Sequence, residues 1–471
     1  MSGKTQKIIL INPPLFFSEG IPNSLDVSVP PLGLLYLASY LNKYTKKVKA
    51  TIIDVAAEKL PLEEIFKRIK QDKIFVVGIS AMTPQLQGAV ELAKFLKEKL
   101  NDKIKIFLGG PHVSADPDFI NRFPDYFDYA ITGEAEKTFL ETIKALVRGR
   151  KIARLQVGEA IVDLDSIPFP DRSLIHRKKY SQRESMMFSR GCPYQCYYCS
   201  RPAIAKTVRY RSAKNMIEEI KSVYKYCHGR IDFQDDTFNL NKECVLGFCE
   251  AVKKEGLKLD WRCNARIDLV DEELLCAMKG AGCSLIHFGI EAGNEKIRRE
   301  IVKKGQFANK QIYKVIALCK RYDIKFGGYF MIGHPGESKK QMEQTKKMVL
   351  GSGVDLLGLS IPTPFPGSKL YEIAKRRGII NEEIIDKFAR KELGEGYVGN
   401  YPVFVSEKVS REYVYALMRE INRKFYINSK TLFKKLEEDF LSPKKLSIDV
   451  KDLFALILKG VSSRKPYVSK G

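Results

Sequence analysis

The sequence predicts an α/β protein with two parallel sheets in series: an N-terminal doubly wound sheet, then a partial (β/α)6 barrel, then a small, mainly helical C-terminal region. Three observations predict it. Short apolar runs alternate with helix-period segments through residues 1–150. A second alternation of the same kind starts at Ser185. After about Asp386 the strand pattern stops and the chain turns helical and basic. Continuous apolar runs mark strands buried on both faces, the condition of a parallel sheet covered by helices.

In the first region the runs fall at Lys7–Asn12, Lys49–Asp54, Ile74–Ser80, Lys105–Gly109 and Phe127–Ile131. Helix-period segments occupy Leu32–Tyr44, Leu62–Gln71, Gln85–Leu100 and Glu134–Arg148. These units fit a flavodoxin- or Rossmann-like domain over 1–150, in which ligands bind beyond the carboxyl ends of the strands. The stretch GEAIVDLDSIPFPDRS, Gly158–Ser173, has proline, acidic residues and no helical period, and reads as a linker within 151–184. The second region, 185–385, has strand patterns at Ser185–Ser189, Arg230–Gln234, Leu259–Asn264, Ser284–Ile290, Lys325–Ile332 and Val354–Ile361. Helices are predicted between them at Ala213–Tyr226, Lys242–Glu255, Asp271–Lys279, Asn309–Arg321 and Lys339–Gly351. Six βα units make most of a TIM-like barrel, whose chemistry sits at the carboxyl ends of its strands. In the basic C-terminal region, 386–471, helices are expected at Glu407–Phe425 and Leu432–Leu441, before a terminal SSRKPYVSKG.

Composition narrows the class. With 471 residues, 44% hydrophobic and 29% charged, the chain has the ordinary balance of a globular protein and material for a large core. It has no apolar run long enough for a membrane span and no signal-peptide pattern at its N-terminus, so a cytoplasmic setting is expected. The ten cysteines are then read as thiols or metal ligands. Seven of them are scattered (Cys227, Cys244, Cys249, Cys263, Cys276, Cys283 and Cys319) and read as small buried hydrophobes. The net charge of +24 is spread along the chain and mixed with glutamates. No aromatic-interleaved basic motif suggests nucleic acid. A Lys/Glu-rich, heat-adapted or AT-biased proteome explains the charge, as would a basic surface for an anionic substrate or membrane.

The chemistry concentrates in Arg190-Gly191-Cys192-Pro193-Tyr194-Gln195-Cys196-Tyr197-Tyr198-Cys199, directly after the first barrel strand. Three thiolates within eight residues can wrap one iron–sulfur cluster. A structural zinc site would be closed by a fourth ligand, which the run lacks. Cys192, Cys196 and Cys199 are therefore the candidate ligands of a [4Fe–4S] cluster with one open iron.

This CxxxCxxC run, with aromatic Tyr198 before its third cysteine, resembles the radical S-adenosylmethionine (SAM) superfamily. The resemblance implies that SAM chelates the fourth iron and is cleaved by one electron to methionine and a 5′-deoxyadenosyl radical, which abstracts a hydrogen atom. Gln234, Asp235 and Asp236 stand where the family often has a Gly-Gly-Glu element holding the SAM amino group; the acidic pair could equally begin the next helix as an N-cap region. Arg266, after the third strand, could contact the SAM carboxylate or substrate, or form a plain salt bridge. Glu291, in Phe288-Gly289-Ile290-Glu291-Ala292-Gly293, matches the ribose-contacting strand end. Met331, Ile332 and Gly333, in the segment Tyr329–Glu337, resemble the family's GxIxGxxGE adenine contact, and Pro362–Tyr371 resembles its exit from the sixth strand.

The N-terminal loops resemble the cobalamin-binding members of that superfamily, over residues 7–375 in all. The segments are Asn12-Pro13-Pro14, Pro30-Pro31-Leu32-Gly33-Leu34, Ser80-Ala81-Met82-Thr83, Gly109-Gly110-Pro111-His112 and Gly133-Glu134-Ala135-Glu136. The resemblance implies that Pro13, Pro14, Leu32, Gly33, Ser80, Thr83, Gly109, Gly110, Pro111, His112, Gly133 and Glu134 bind cobalamin. The stretch Asp54–Lys59 is set against the DxHxxG motif, where Ala56 replaces the cobalt-ligating histidine. His112 is expected to contact the cofactor or cap its loop.

The implied function is a cobalamin-dependent radical methyltransferase acting on an unactivated carbon. The alternatives are a radical rearrangement, cyclisation or carbon–carbon coupling on a lipid, tetrapyrrole or other natural product, and a non-catalytic SAM- or cobalamin-responsive module. Expected partners are a small-molecule or lipid substrate and an electron donor such as flavodoxin or ferredoxin. Arg423-Lys424-Phe425-Tyr426 and the apolar run Val450–Leu458 could seat the chain peripherally on a membrane or pack back on the barrel. Trp261 is expected in the core.

Overall fold

The computed structural model describes residues 5–427 apart from 16, 19–20, 23–28, 101–102, 181–182, 206, 303–306, 382, 394–402 and 404. The segments Leu432–Leu441 and Val450–Leu458 and the terminal SSRKPYVSKG lie outside the described residues.

The first sheet contains β1 (Gln6–Asn12), β2 (Val48–Asp54), β3 (Ile74–Ser80), β4 (Lys105–Gly109), β5 (Tyr129–Thr132) and β6 (Leu155–Val157). Their order is β2-β1-β3-β4-β5-β6, with every pairing parallel. Alternation along β1 explains the burial of both faces. Ile8 and Leu10 join α1 (Leu32–Tyr44) in one apolar layer, while Ile9 and Ile11 join α2 (Leu62–Asp72) and α3 (Leu86–Leu100) in the other. The helix α4 (Glu136–Val147) completes the first layer through Phe139 and Ile143. Strand order reverses between β2 and β3, on either side of β1, and such a switch point opens a crevice at the carboxyl ends. The sixth strand, β6, lies in the segment read from sequence as linker. It has three residues, none of them buried, so no apolar run marked it.

The second sheet runs in chain order, all parallel: β7 (Glu184–Met186), β8 (Arg230–Phe233), β9 (Asp260–Ala265), β10 (Cys283–Glu291), β11 (Lys325–Met331) and β12 (Leu356–Ser360). Among the described residues β7 and β12 do not pair, so the barrel is open. Its outer face is covered by α5 (Ala213–Cys227), α6 (Lys242–Lys254), α7 (Glu272–Gly280), α8 (Asn309–Arg321) and α9 (Lys339–Gly351). Ser212, Asn241 and Asp271 start α5, α6 and α7 by accepting a hydrogen bond from the third helical amide. Trp261 is fully buried among Phe233, Phe238 and Phe248, with its indole N–H donating to the Ala281 carbonyl at 2.8 Å. Of the seven scattered cysteines, Cys227, Cys249, Cys263, Cys283 and Cys319 are buried; Cys244 is half-buried and Cys276 is exposed.

After β12 the chain returns across both sheets. The helix α10 (Lys369–Arg376) packs Leu370 and Ala374 near Tyr197, and Ile385, Phe388 and Ala389 enter the α2/α3 layer of the first sheet. Arg122 pairs with Asp386 at 2.8 Å and Lys391 with Glu91 at 2.7 Å. The last described helix, α11 (Arg411–Ile427), buries Val414, Leu417, Ile421 and Phe425 in the barrel's outer layer, and Tyr426 donates to the Leu357 carbonyl. The Arg423–Tyr426 segment thus packs back on the barrel. Among the described residues no helix is long and apolar enough to cross a membrane.

A buried ionic group fastens the linker to the barrel. Glu219 of α5 is fully buried and accepts from Arg172 at 2.6 Å and from Arg211, while Arg172 also reaches Glu184 of β7 at 2.8 Å. Removing the shared carboxylate takes an acidic partner from each of two buried guanidinium groups and leaves Arg172 with Glu184. Glu219→Ala is expected to destabilise the fold by about 3–5 kcal/mol in denaturant unfolding, more than Glu219→Gln, whose single amide oxygen still accepts from one of the two arginines.

Candidate functional site

The cysteine loop is the excursion of a tight antiparallel hairpin, Ser189–Arg190 paired with Arg209–Tyr210. Gly191 starts it at φ +96°, where a Cβ would lie 2.1 Å from the Thr207 carbonyl oxygen. Only glycine fits a left-handed position with the opposite strand that close. The Cys192 amide donates to the Ala205 carbonyl at 3.2 Å, and the Cys199 amide to the Cys196 carbonyl at 3.0 Å. All three cysteines are half-buried. Burial pushes the Cys199 thiol up, and the neighbouring Cys196 and Cys192 add to this against the Arg201 amide. A thiol whose ionisation is opposed by burial and by two neighbouring thiols gains from a cationic partner. Among the described residues, no three Cys, His, Asp or Glu side chains converge on the position of a single metal ion. A polynuclear cluster, whose ligands sit on separate irons, suits such a spread donor set.

Asp235 is not an open ligand and does not cap the following helix, which begins at Lys242 with Asn241 as its cap. Its carboxylate, 1% exposed, accepts from the amides of Phe188 (3.1 Å) and Ser189 (2.5 Å) and from the Ser189 hydroxyl (2.6 Å). Burial pushes its pKa up to about 6 against those hydrogen bonds. Its place is beneath the hairpin, fixing where the loop leaves β7. Gln234 and Asp236 do reach the cavity described below, and Asp236 pairs with Arg201 at 2.7 Å. Arg266 is buried, grips Asp268 at 2.7 and 3.0 Å and lies 3.5 Å from the centre of the Tyr194 ring. The salt bridge foreseen as its alternative is present.

On the other side of the loop, Tyr198 donates to Glu291 at 2.7 Å. Glu291 ends β10 at φ +68° and is 5% exposed. The hydroxyl of Tyr197 meets His334 Nδ1 at 2.8 Å, and His334 Nε2 approaches the Glu291 carbonyl at 3.3 Å. Glu337, fully buried, accepts from the amides of Gly333 (2.8 Å) and His334 (2.9 Å), which fixes the turn after Met331 and Ile332. The structure thus gathers Tyr198, Glu291, Met331, Ile332 and Gly333 on one side of the cysteine loop. The roles of Tyr197 and His334 were missed because the two residues are 137 positions apart in sequence.

A cavity of about 400 Å³ opens at the carboxyl ends of the first sheet, between that sheet and the cysteine loop. Leu32, Gly33, Ser80, Gly109, Gly110, Pro111, Gly133 and Glu134 line it; so do Gly191, Arg201 and Ala205 from the cysteine loop. A Cβ on Gly33 would meet nothing within 4 Å, so the backbone there borders open space and a flat group can approach it closely. The remaining wall is largely apolar, with Leu10, Ile79, Phe107 and Met187. Glu134 accepts from Arg190 (3.0 Å) and from Arg209, and Glu136 pairs with Arg190 at 2.8 Å. Burial alone would raise the Glu134 carboxyl, but Arg209 and Arg190 hold it below the usual range.

Four expected residues stand behind the wall. Pro13 and Pro14 are buried, and the Pro13 carbonyl accepts from Gln85 at 2.8 Å; Asn12 and Gln85 line the cavity in their place. Thr83 and His112 are buried and bonded to each other at 3.1 Å, outside the lining. The Asp54–Lys59 stretch follows edge strand β2 and also lies outside the lining; Asp54 accepts from Ala57, Asn12 and Tyr180. Residue 56 therefore does not face this cavity. Among the described residues no histidine lines the cavity.

Burial lowers the His112 pKa to about 4 from 6.5. Its folded pKa lies below its unfolded value, so the unfolded chain takes the proton first. Stability is complete above pH 6.5 and falls as pH drops toward 4. The loss is about 1.4 kcal/mol per pH unit inside that window. His112→Leu is expected to flatten the pH dependence of the unfolding midpoint there, whatever its offset in stability.

Residues 186–349 match the family described as the Radical SAM superfamily, and residues 21–143 match the B12 binding domain. An uncharacterized methyltransferase of Pyrococcus horikoshii is 32% identical over 455 residues, spanning 92% of this chain and 95% of its own length. The anaerobic magnesium-protoporphyrin IX monomethyl ester cyclase of Rubrivivax gelatinosus is 26% identical over 446 residues, 86% of this chain and 79% of its own. In fold, the chain resembles the radical S-adenosylmethionine methyltransferase TsrM of Kitasatospora setae, solved with tryptophan and a SAM analogue, with a TM-score of 0.71 at 15% identity over 88% of this chain and 89% of that one. Two parallel sheets with a three-cysteine loop over the glycine-edged cavity between them agree with both domain matches, and the chain belongs to the radical SAM superfamily, in the group that carries a B12-binding domain.

Proposed function

We propose that the protein is a cobalamin-dependent radical SAM methyltransferase acting on an unactivated carbon of a small molecule. One observation carries the proposal. The cavity walled by Gly33, Gly109 and Gly133 is also walled by Arg190, Gly191 and Arg201 at the borders of the cysteine loop. A cofactor against the first sheet and a cluster on the loop would then share one chamber. When bound, the cluster supplies the electron that splits SAM, and cobalamin carries the methyl group.

The chain's own residues hold and screen this chemistry. Cys192, Cys196 and Cys199 hold the cluster. Tyr198, Glu291, Met331, Ile332 and Gly333 seat SAM, with Glu291 oriented by the Tyr198 hydroxyl. Gln234 and Asp236 face the chamber and Arg266 braces Tyr194, while Asp235 sets the loop's exit. Leu32, Gly33, Ser80, Gly109, Gly110, Pro111 and Gly133 form the cradle for cobalamin, and the apolar wall excludes water, which protects reactive species. Pro13, Pro14, Thr83, His112 and Glu134 support that cradle from behind or through ion pairs. An electron donor of flavodoxin or ferredoxin type in a reducing, cytoplasmic setting belongs to the same proposal. A second reading is radical ring closure, which the likeness to the Rubrivivax cyclase favours.

The test is anaerobic reconstitution with iron, sulfide, SAM, hydroxocobalamin and a strong reductant. Wild-type protein is expected to bind about four irons and to form 5′-deoxyadenosine. The combined Cys192→Ala, Cys196→Ala and Cys199→Ala variant is expected to do neither; retention of four irons would remove these cysteines from the site. Gly33→Trp, which fills open space in the cradle, is expected to lower cobalamin retention about tenfold while leaving the iron content unchanged. Full cobalamin retention by that variant would move the cofactor elsewhere.

A further inference from the structure

The concave face of the barrel carries a feature that neither the cluster, SAM nor cobalamin accounts for. Along β10 the side chains of Ile286, Phe288 and Ile290 enter the outer core, as do Phe326 and Phe330 of β11. Successive strand residues face opposite ways, so His287 and Tyr329 point into the open barrel. Their rings are parallel, 14° apart in plane, with centroids 5.1 Å apart.

Each ring packs over a glycine at the same level of the neighbouring strand. His287 is in register with Gly327, and Tyr329 with Gly358. A Cβ on Gly327 would come within 2.3 Å of the His287 ring, and one on Gly358 within 2.4 Å of Tyr329. Rings laid over glycines on neighbouring strands can serve the sheet alone. These remain open on the other side: Tyr329 is 42% exposed and Leu356, level with His287, is 39% exposed. The pair also adjoins the proposed SAM seat, since Tyr329 precedes Met331 by two residues, about 7 Å along the strand. Arg262, on the same face of β9, has a buried Nε without a hydrogen-bond partner, and Asp260 beside it is engaged by Arg183 and Ser284.

We infer that His287 and Tyr329 form a stacking floor for the substrate, which therefore presents a flat, conjugated ring to the barrel interior. The inference rests on the proposed radical SAM reading for what happens to that ring. Offset stacking of a π-system on the open face of this ring pair needs no hydrogen-bond partner, and the Arg262 guanidinium places positive charge on the same face of the sheet.

The test uses reconstituted full-length protein and ligand-observed NMR with three probes: 2-naphthoate, naphthalene-2-carboxamide and cyclohexanecarboxylate. Both naphthalene probes are expected to bind and cyclohexanecarboxylate to fail. Tyr329→Leu is expected to weaken the naphthalene probes about tenfold, the size of a lost ring–ring contact with its buried area, and Tyr329→Phe to restore them. Iron content and deoxyadenosine formation of the wild-type protein, measured on the same samples, report separately on the radical SAM reading. Equal binding of all three probes would overturn the inference, as would affinity indifferent to Tyr329→Leu. Full displacement by SAM would assign the rings to adenine, and absence of binding to the full chain would assign their cover to the chain itself; either result overturns it too.

Discussion

The structure depends on the ionic clasp between the cysteine hairpin and the loop after β5. Arg190 and Arg209 stand on opposite strands of the hairpin, and both hold Glu134, while Arg190 also holds Glu136. These groups are largely withdrawn from water, so each charge is costly unless its partner is in place. That cost makes the arrangement selective. The hairpin can sit over the first sheet in few ways that leave none of the four charges alone. The cavity, the position of the three cysteines and the spacing between the two sheets follow from that fit. Asp235 completes it from below by tying the Phe188 and Ser189 amides to β8.

Much of the fold was legible because its strands are buried on both sides. Val76, Val77 and Ile79 of β3 are almost fully buried, and such a run has no other use in a chain of this composition. Helices α8 and α9 begin and end where their periodicity begins and ends. The small sixth strand was invisible for the opposite reason. Leu155–Val157 is short and partly exposed, and it exists because β5 offers an unpaired edge rather than because its own residues favour extension.

The site was legible where chemistry and local spacing coincide. Three thiols within eight residues lie together in any compact loop, so the cysteines announce themselves. Residues that meet only through the fold do not. Arg190 and Glu134 are 56 positions apart, and Tyr197 and His334 are 137 apart. Sequence motifs also conflate a wall with what stands behind it. Pro13, Thr83 and His112 belong to loops at the right end of the sheet, yet their side chains turn inward to fill space and satisfy one another. The stretch Asp54–Lys59, set against a histidine-bearing motif, follows edge strand β2 and stands outside the cavity lining. The end of an edge strand resembles the end of a central one in sequence, and only strand order separates them.

The chain's return path has a mechanical consequence. Having built the barrel, it places Ile385, Phe388 and Ala389 on the first sheet and adds ion pairs from Asp386 and Lys391. The two sheets are thus strapped together by covalent connections at both the start and the finish of the barrel. A hinge needs one flexible tether and one free margin, and this closed loop of chain has no free margin. Traffic in and out of the chamber must go by rearrangement of side chains and short loops at its rim, where Met82 is half exposed, while the two walls keep their distance.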